Sequence, residues 1–352
     1  MITSRVAMLV LAAALALGSV PPATGAGFVD PLDAPSTQSP LAQRSLLLGV
    51  TKAGSSRLVA VGQRGHVVYS TDAGATWKQA SVPVSSDLTA VYFVDDKQGW
   101  AVGHDGVILA TTDGGATWAL QLDGMRANRA IVDDLARKPG AEALLAEANR
   151  NVAQGADKPF LDVWFADGNV GYAVGAYNFI FRTQDGGKNW KPWFDRTDNP
   201  KYLNLYAIRP AAGGLFIAGE AGLVLKLDVS AQRFRAVDVP YQGTLLGVAG
   251  NESVVLVFGL RGQAFRSDDA GRTWAKVDAR LPATIVAGTP LADGGFALAD
   301  ASGRVSVSRD AARTFETVAL PATMMLTGIA DAGAGRIALT GVRGVAVAPI
   351  AR

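Results

Sequence analysis

The 352-residue chain carries 33 lysines and arginines against 31 aspartates and glutamates, a net charge of +2, so it lacks the basic surplus that nucleic-acid binding draws on. No cysteine is present, which excludes disulfides, and two histidines leave no ligand cluster for a metal enzyme. Apolar residues make up 49% of the chain and glycines number 40, a balance that fits a turn-rich all-β protein with a large core.

Met1 to Ala26 reads as a secretory signal, with Arg5 as its positive start, Val6 to Gly18 as its apolar centre and small residues at Ala23 to Gly27 for cleavage. The apolar run is too short to span a membrane and is closed by Pro21 and Pro22. The mature chain, residues 27–352, is expected as one soluble, exported domain in a periplasm, with no direct membrane insertion and no lipid-anchoring cysteine. Gly27 to Ser45 is proline-rich and carries no complete repeat.

From there an octet recurs: Ser70 to Trp77 is STDAGATW, Thr111 to Trp118 is TTDGGATW, Thr183 to Trp190 is TQDGGKNW and Ser267 to Trp274 is SDDAGRTW. Weaker copies stand at Lys226 to Phe234 and Ser308 to Phe315. The aspartates at 72, 113, 185, 228, 269 and 310 are spaced by 41, 72, 43, 41 and 41 residues. A period near 41 suits a propeller blade. Within the octet the aspartate accepts backbone N–H bonds and the glycine takes positive φ. The closing Trp77, Trp118, Trp190 or Trp274 fills the gap between sheets. Asp72, Asp113, Asp185, Asp269 and Asp310 are therefore structural. A calcium loop needs several oxygen ligands, and each octet offers one or two carboxylates.

Seven units follow, roughly 46–85, 86–123, 160–200, 201–242, 243–282, 283–322 and 323–352. In the second, LTAVYFVD, GWAVG, VILATT and TWALQL read as four antiparallel strands. The predicted fold is an all-β, seven-bladed β-propeller of four-stranded blades. The last unit is one strand short, so Phe28 to Leu32 is expected to complete it and tie the ring shut.

Between second and third strands the chain turns at GQRG, GHDG, GEAG, GLRG and GVRG, beginning at 62, 103, 219, 259 and 341, and at GAYN in the third unit. Strand alternation puts these tips on the face opposite the octets, together with the loops between blades. Arg64, His104, Tyr177, Arg261 and Arg343 are the candidate partner-binding residues there, placed to line a central channel. Gly124 to Pro159 breaks the period. It is rich in Ala, Leu, Glu and Arg, with Ile131, Leu135, Leu144, Leu145 and Ala148 at helical spacing, and Pro139 with Gly140 divides it into two helices. The insertion is expected on the tip face as a lid or docking element.

The run G-W/Y-A-V-G-x-x-G followed by S/T-x-D-G-G-x-x-W, at Gly99 to Trp118 and Gly171 to Trp190, resembles the photosystem II assembly and stability factor family of plants and cyanobacteria. Its likeness extends over nearly the whole mature chain. The resemblance implies a non-enzymatic seven-bladed propeller that binds newly made membrane-protein subunits through an arginine-rich surface, for which Arg64, Arg261 and Arg343 are the nearest counterparts. The insertion and the lack of an arginine stripe depart from that pattern. The alanine-rich composition reads as a proteobacterial relative whose client is another envelope protein complex, such as a transporter.

Two other classes find partial support in the residues. A sialidase-like glycoside hydrolase needs three arginines, a tyrosine nucleophile beside a glutamate and an acid/base aspartate; Glu220 with Tyr177 is the nearest pair. A carbohydrate-binding propeller would use exposed Trp193, Tyr202 and Tyr206. No cofactor is implied by any motif. His66 follows a tip and reads as an ordinary strand residue.

Overall fold

The computed structural model describes residues 27, 29–321 and 324–350. The expected secretory signal, Met1 to Ala26, lies outside these. Seven antiparallel sheets ring an axis, and among the described residues six have four strands and the last has three. The innermost strands are Leu47–Ala53, Leu88–Phe93, Phe160–Phe165, Leu205–Ala211, Leu245–Gly250, Ile285–Pro290 and Leu326–Gly333, each packed against its neighbours around the ring. The predicted strands of the second blade are present as Leu88–Phe93, Gly99–Gly103, Ile108–Thr111 and Ala119–Leu122. Every second strand is buried on both faces, as GWAVG and GYAVG are, because blades stack on each side of it.

Each octet closes the hairpin between third and outer strands through a hydrogen-bond net. Thr111 Oγ1 donates to Asp113 Oδ1 at 2.8 Å and accepts the Gly115 N–H at 3.0 Å. Asp113 in turn accepts the N–H and hydroxyl of Thr117 at 3.0 and 2.6 Å. The same arrangement recurs at Asp72, Asp185, Asp269 and Asp310. Gly115 holds φ 89°, a conformation that requires glycine unless the turn is strained. Trp118 and Trp190 are buried between blades, edge-on to Phe93 at 6.1 Å and Phe165 at 5.8 Å. Trp77 and Trp274 are half-buried in the same role.

Burial opposes ionisation of Asp113, but the Thr117 hydroxyl and N–H, the Thr111 hydroxyl and the Ala116 N–H outweigh it and hold the carboxyl at about 2. Its folded value lies below the ordinary 3.8, so its contribution is present above that range and is lost as pH falls from there towards about 2. Asp113→Ala should lower stability at neutral pH by about 1–2 kcal/mol through the lost bonds, discounted for solvent exposure. Thermal unfolding of Asp113→Ala should also fall less steeply below pH 4 than that of the native chain, roughly one carboxylate's share. An unchanged acid slope would show that the octet does not hold its charge.

The expected closing strand is corrected. Phe28 lies outside the described residues, and the last blade, Leu326–Gly333, Arg336–Gly341 and Gly344–Pro349, gains no fourth strand from residues 29–32. Asp30 turns the chain instead, its carboxylate accepting the Leu32 N–H at 2.9 Å and its carbonyl the Asp33 N–H at 2.9 Å. Leu32 then packs on the core between the first two blades. The segment runs along the first blade's outer edge, where Ser36 N–H bonds Val82 O at 3.0 Å and Ser85 N–H bonds Pro31 O at 2.8 Å. Blades one and seven meet by packing: Val50 and Trp77 against Ala332, Ala338 and Val347, with Thr327 Oγ1 donating to Leu47 O at 2.6 Å.

Candidate functional site

Tips and inter-blade loops share one face, as strand alternation requires. The GVRG tip of the last blade is a two-residue hairpin at Val342 and Arg343, whereas each tip of the first five blades is a single 3-10 turn, at Gln63–Gly65, His104–Gly106, Ala176–Asn178, Glu220–Gly222 and Leu260–Gly262. Its second residue is left-handed: Arg64 φ 55°, Asp105 φ 56°, Tyr177 φ 52°, Ala221 φ 52° and Arg261 φ 58°. In blades one and three the N–H of that residue is met from the next blade, Arg64 N–H by Asp87 Oδ1 at 2.7 Å and Tyr177 N–H by Asn204 Oδ1 at 2.8 Å. The sixth blade turns at Asp300 to Gly303, where buried Asp300 accepts the N–H groups of Ser302 and Arg304; lacking the first glycine, it escapes the motif. His66, just after the first tip, is buried, with Nδ1 2.9 Å from Ser45 Oγ, and burial lowers its pKa.

The side chains of Arg64, His104, Tyr177, Arg261 and Arg343 are all exposed on this face. They stand on blades one, two, three, five and seven, and none is among the residues lining the axial channel. That channel, about 140 Å³, is walled by the innermost strands, with Asp162, Tyr206 and Arg209 as its chief polar groups. Asp162 is 4% exposed; its Oδ2 accepts Arg209 Nη1 at 2.6 Å and the Ile208 N–H at 2.8 Å. An aspartate inside the apolar strand FLDVWF is the signal that marks this pair in the sequence.

The insertion forms two helices, α1 (Gly124–Leu135) and α2 (Glu142–Gln154), emerging on the tip face. Asp123 caps α1 by accepting the Arg126 N–H at 2.8 Å. Asn128 Nδ2 ties the helices together through Gly155 O at 2.9 Å. Lys138 reaches Asp195 on the third blade at 2.6 Å. Between hairpin and blade lies a cleft of about 450 Å³, with Leu135, Leu144 and Ala148 from the helices facing Phe179, Phe181 and Phe194. Tyr177 and Tyr202 stand at its mouth, 66% and 43% exposed. Of the other aromatics weighed, Trp193 is buried and Tyr206 faces the channel. Glu220 is bound to the Asn204 N–H at 3.2 Å.

Among the described residues no group of three or more His, Cys, Asp or Glu could hold a metal ion, and no helix is long and apolar enough to cross a membrane. The family model "Photosynthesis system II assembly factor YCF48" matches residues 41–112, 69–130 and 141–299. A curated "Photosystem II assembly lipoprotein Ycf48" of Synechococcus sp. (strain CC9902) is 31% identical over 121 residues, 32% of this chain. The chain spans about a third of that relative's length, 35%. Two solved structures share the fold over 90% of this chain: "YCF48 bound to D1 peptide", 16% identical with a TM-score of 0.62 over 96% of its own length, and "YCF48 from Cyanidioschyzon merolae", 18% identical with a TM-score of 0.61 over 98%. By this match across most of its repeats, the chain belongs to the photosynthesis system II assembly factor YCF48 family.

Proposed function

We propose that this chain is a non-enzymatic, exported propeller that holds a segment of a membrane protein or envelope complex on its tip face during assembly. The observation that carries this reading is the distribution of exposed apolar side chains. Among the described residues Leu41, Tyr177, Tyr202, Leu260, Met325 and Val342 lie at the tip end and Leu144 on the insertion beside it, while Val29 is on the N-terminal segment and Val229 at the octet end. Apolar groups gathered on one face of a ring mark a protein-binding surface. The side chains of Arg64, Arg261 and Arg343 make no ion pair or hydrogen bond among the described residues, so they are available to a partner's carboxylates or carbonyls. Family membership and the D1 peptide in a solved YCF48 structure support a polypeptide ligand.

The test is capture from membranes in mild detergent by the tagged mature protein. One integral membrane protein should be enriched, and replacing Arg64, Arg261 and Arg343 together with Ala should weaken its recovery about tenfold or more. Mass spectrometry of the captured protein names the client and decides whether it is a transporter. Recovery of no membrane protein by the native chain would count against the proposal.

A further inference from the structure

The cleft under the helical insertion has chemistry that the fold leaves unused. Its floor is apolar, its volume of about 450 Å³ is that of a ligand pocket, and Leu144 at its edge is 38% exposed. Tyr177 and Tyr202 at the mouth both hold φ 52°, a left-handed conformation costly for a bulky side chain, and Tyr177 stays largely in solvent while Tyr202 is partly exposed. At the corresponding tip position other blades place Arg64, Asp105, Ala221 and Arg261, so the aromatic is particular to this blade.

The charged groups lining the cleft are Glu147, Asp157 and Lys158. None makes an ion pair or hydrogen bond with its side chain among the described residues, and burial lowers the pKa of half-buried Lys158. Two carboxylates against one ammonium make the mouth net negative. Asn151 and Gln154 add both donors and acceptors beside them, matching the alternating N–H and C=O groups of an extended backbone.

We infer that the cleft is the anchor subsite for one large apolar side chain of an extended polypeptide, with a lysine or arginine two positions along meeting Glu147 and Asp157. Alternate side chains of an extended segment share a face, which sets the two-residue spacing. The inference rests on the reading that the tip face binds polypeptide, and it assigns that reading's specificity to the insertion.

Fluorescence anisotropy with labelled ten-residue peptides on a Ser-Gly framework tests it, using a central Phe-Ser-Arg, Ser-Ser-Arg or Phe-Ser-Glu. The Phe-Ser-Arg peptide should bind at least tenfold more tightly than Ser-Ser-Arg, the order expected for burying one aromatic side chain. It should also exceed Phe-Ser-Glu severalfold. Leu144→Glu and Tyr202→Ser, both at exposed positions, should each weaken binding about tenfold while thermal unfolding stays unchanged. Glu147→Lys should shift preference towards Phe-Ser-Glu. Equal affinity for all three peptides, no binding at millimolar peptide, competition by decanoate without peptide preference, or a dimer that Leu144→Glu dissolves would each overturn the inference. Membrane capture by the Leu144→Glu chain separates the two levels. Undiminished recovery sinks the cleft while sparing the polypeptide reading, whereas failure of the native chain itself sinks that reading.

Discussion

Arg209→Met should lower the stability of the propeller by about 3–5 kcal/mol, because it strands a buried carboxylate in the axial channel. Asp162 and Arg209 sit on the innermost strands of blades three and four, and their 2.6 Å contact pairs a buried carboxylate with a partly exposed guanidinium at the seam between them. Burial pushes the Asp162 carboxyl up; Arg209 and the Ile208 and Val163 N–H groups pull it back. Burial already outweighs these in the native chain, and without the guanidinium the carboxyl rises further, so the folded variant favours the protonated acid. The gap between folded and unfolded pKa then widens, so the deficit of Arg209→Met should be largest near neutrality and shrink as pH falls. Arg209→Met with Asp162→Asn removes the charge yet keeps an acceptor for the Ile208 N–H, and should recover most of the loss. Chemical denaturation of the two single variants and the double variant at pH 7 and pH 5 measures this cycle. A cost for Arg209→Met below about 1 kcal/mol, or no recovery in the double variant, would show that the pair is not what joins these blades.

Trp100→Ala should cost a similar amount, about 3–5 kcal/mol, by emptying the seam between blades two and three. Trp100 is 1% exposed and lies flat on Phe165, centroids 3.4 Å apart and planes within 8°. Phe165 in turn meets the edge of Trp190 from the octet, so the three rings couple the repeat's strand motif to its turn motif. The glycine that opens each such strand is explained by the same packing. A Cβ on Gly171 would come within 2.6 Å of the Phe165 ring, and one on Gly99 within 2.7 Å of Phe93. Trp100→Phe keeps the stacking and forfeits no protein hydrogen bond, since the indole N–H meets no protein acceptor, and should cost about 1 kcal/mol or less. Equilibrium unfolding of both variants checks the ordering; equal losses would mean that ring stacking contributes little here.

Much of this architecture is legible in the sequence. The octet carries its own bonding partners within seven residues, from Ser or Thr two before the aspartate to the residue four after it, so its turn can be read wherever it occurs. The insertion is equally readable from its helical spacing and from Pro139 with Gly140 between α1 and α2. The tip face follows from counting strand directions. The site is legible only in outline: the five tip residues are exposed where expected, but they ring the face and do not line the channel. Leu135 and Phe194 meet in one cleft only because a hairpin folds back onto a blade, and no local pattern states where it lands.

The end of the chain shows the same division. The three strands of the last blade are plain in MMLTGIAD, RIALTG and GVAVAPI. What seals the ring is the packing of blade one on blade seven, with Thr327 bonded to Leu47, 280 residues away, and the N-terminal segment goes elsewhere because Asp30 and Pro31 bend it and Leu32 finds apolar surface between blades one and two. The sequence by itself determined the repeat, its turns, the blade number and the presence of helices, all set by interactions within a few residues or by simple periodicity. Only the tertiary structure decided the partners across seams: Asp162 with Arg209, Trp100 with Phe165, the helical hairpin with the third blade. Those depend on which surfaces remain unburied once the blades are stacked, and burial is a property of the whole ring.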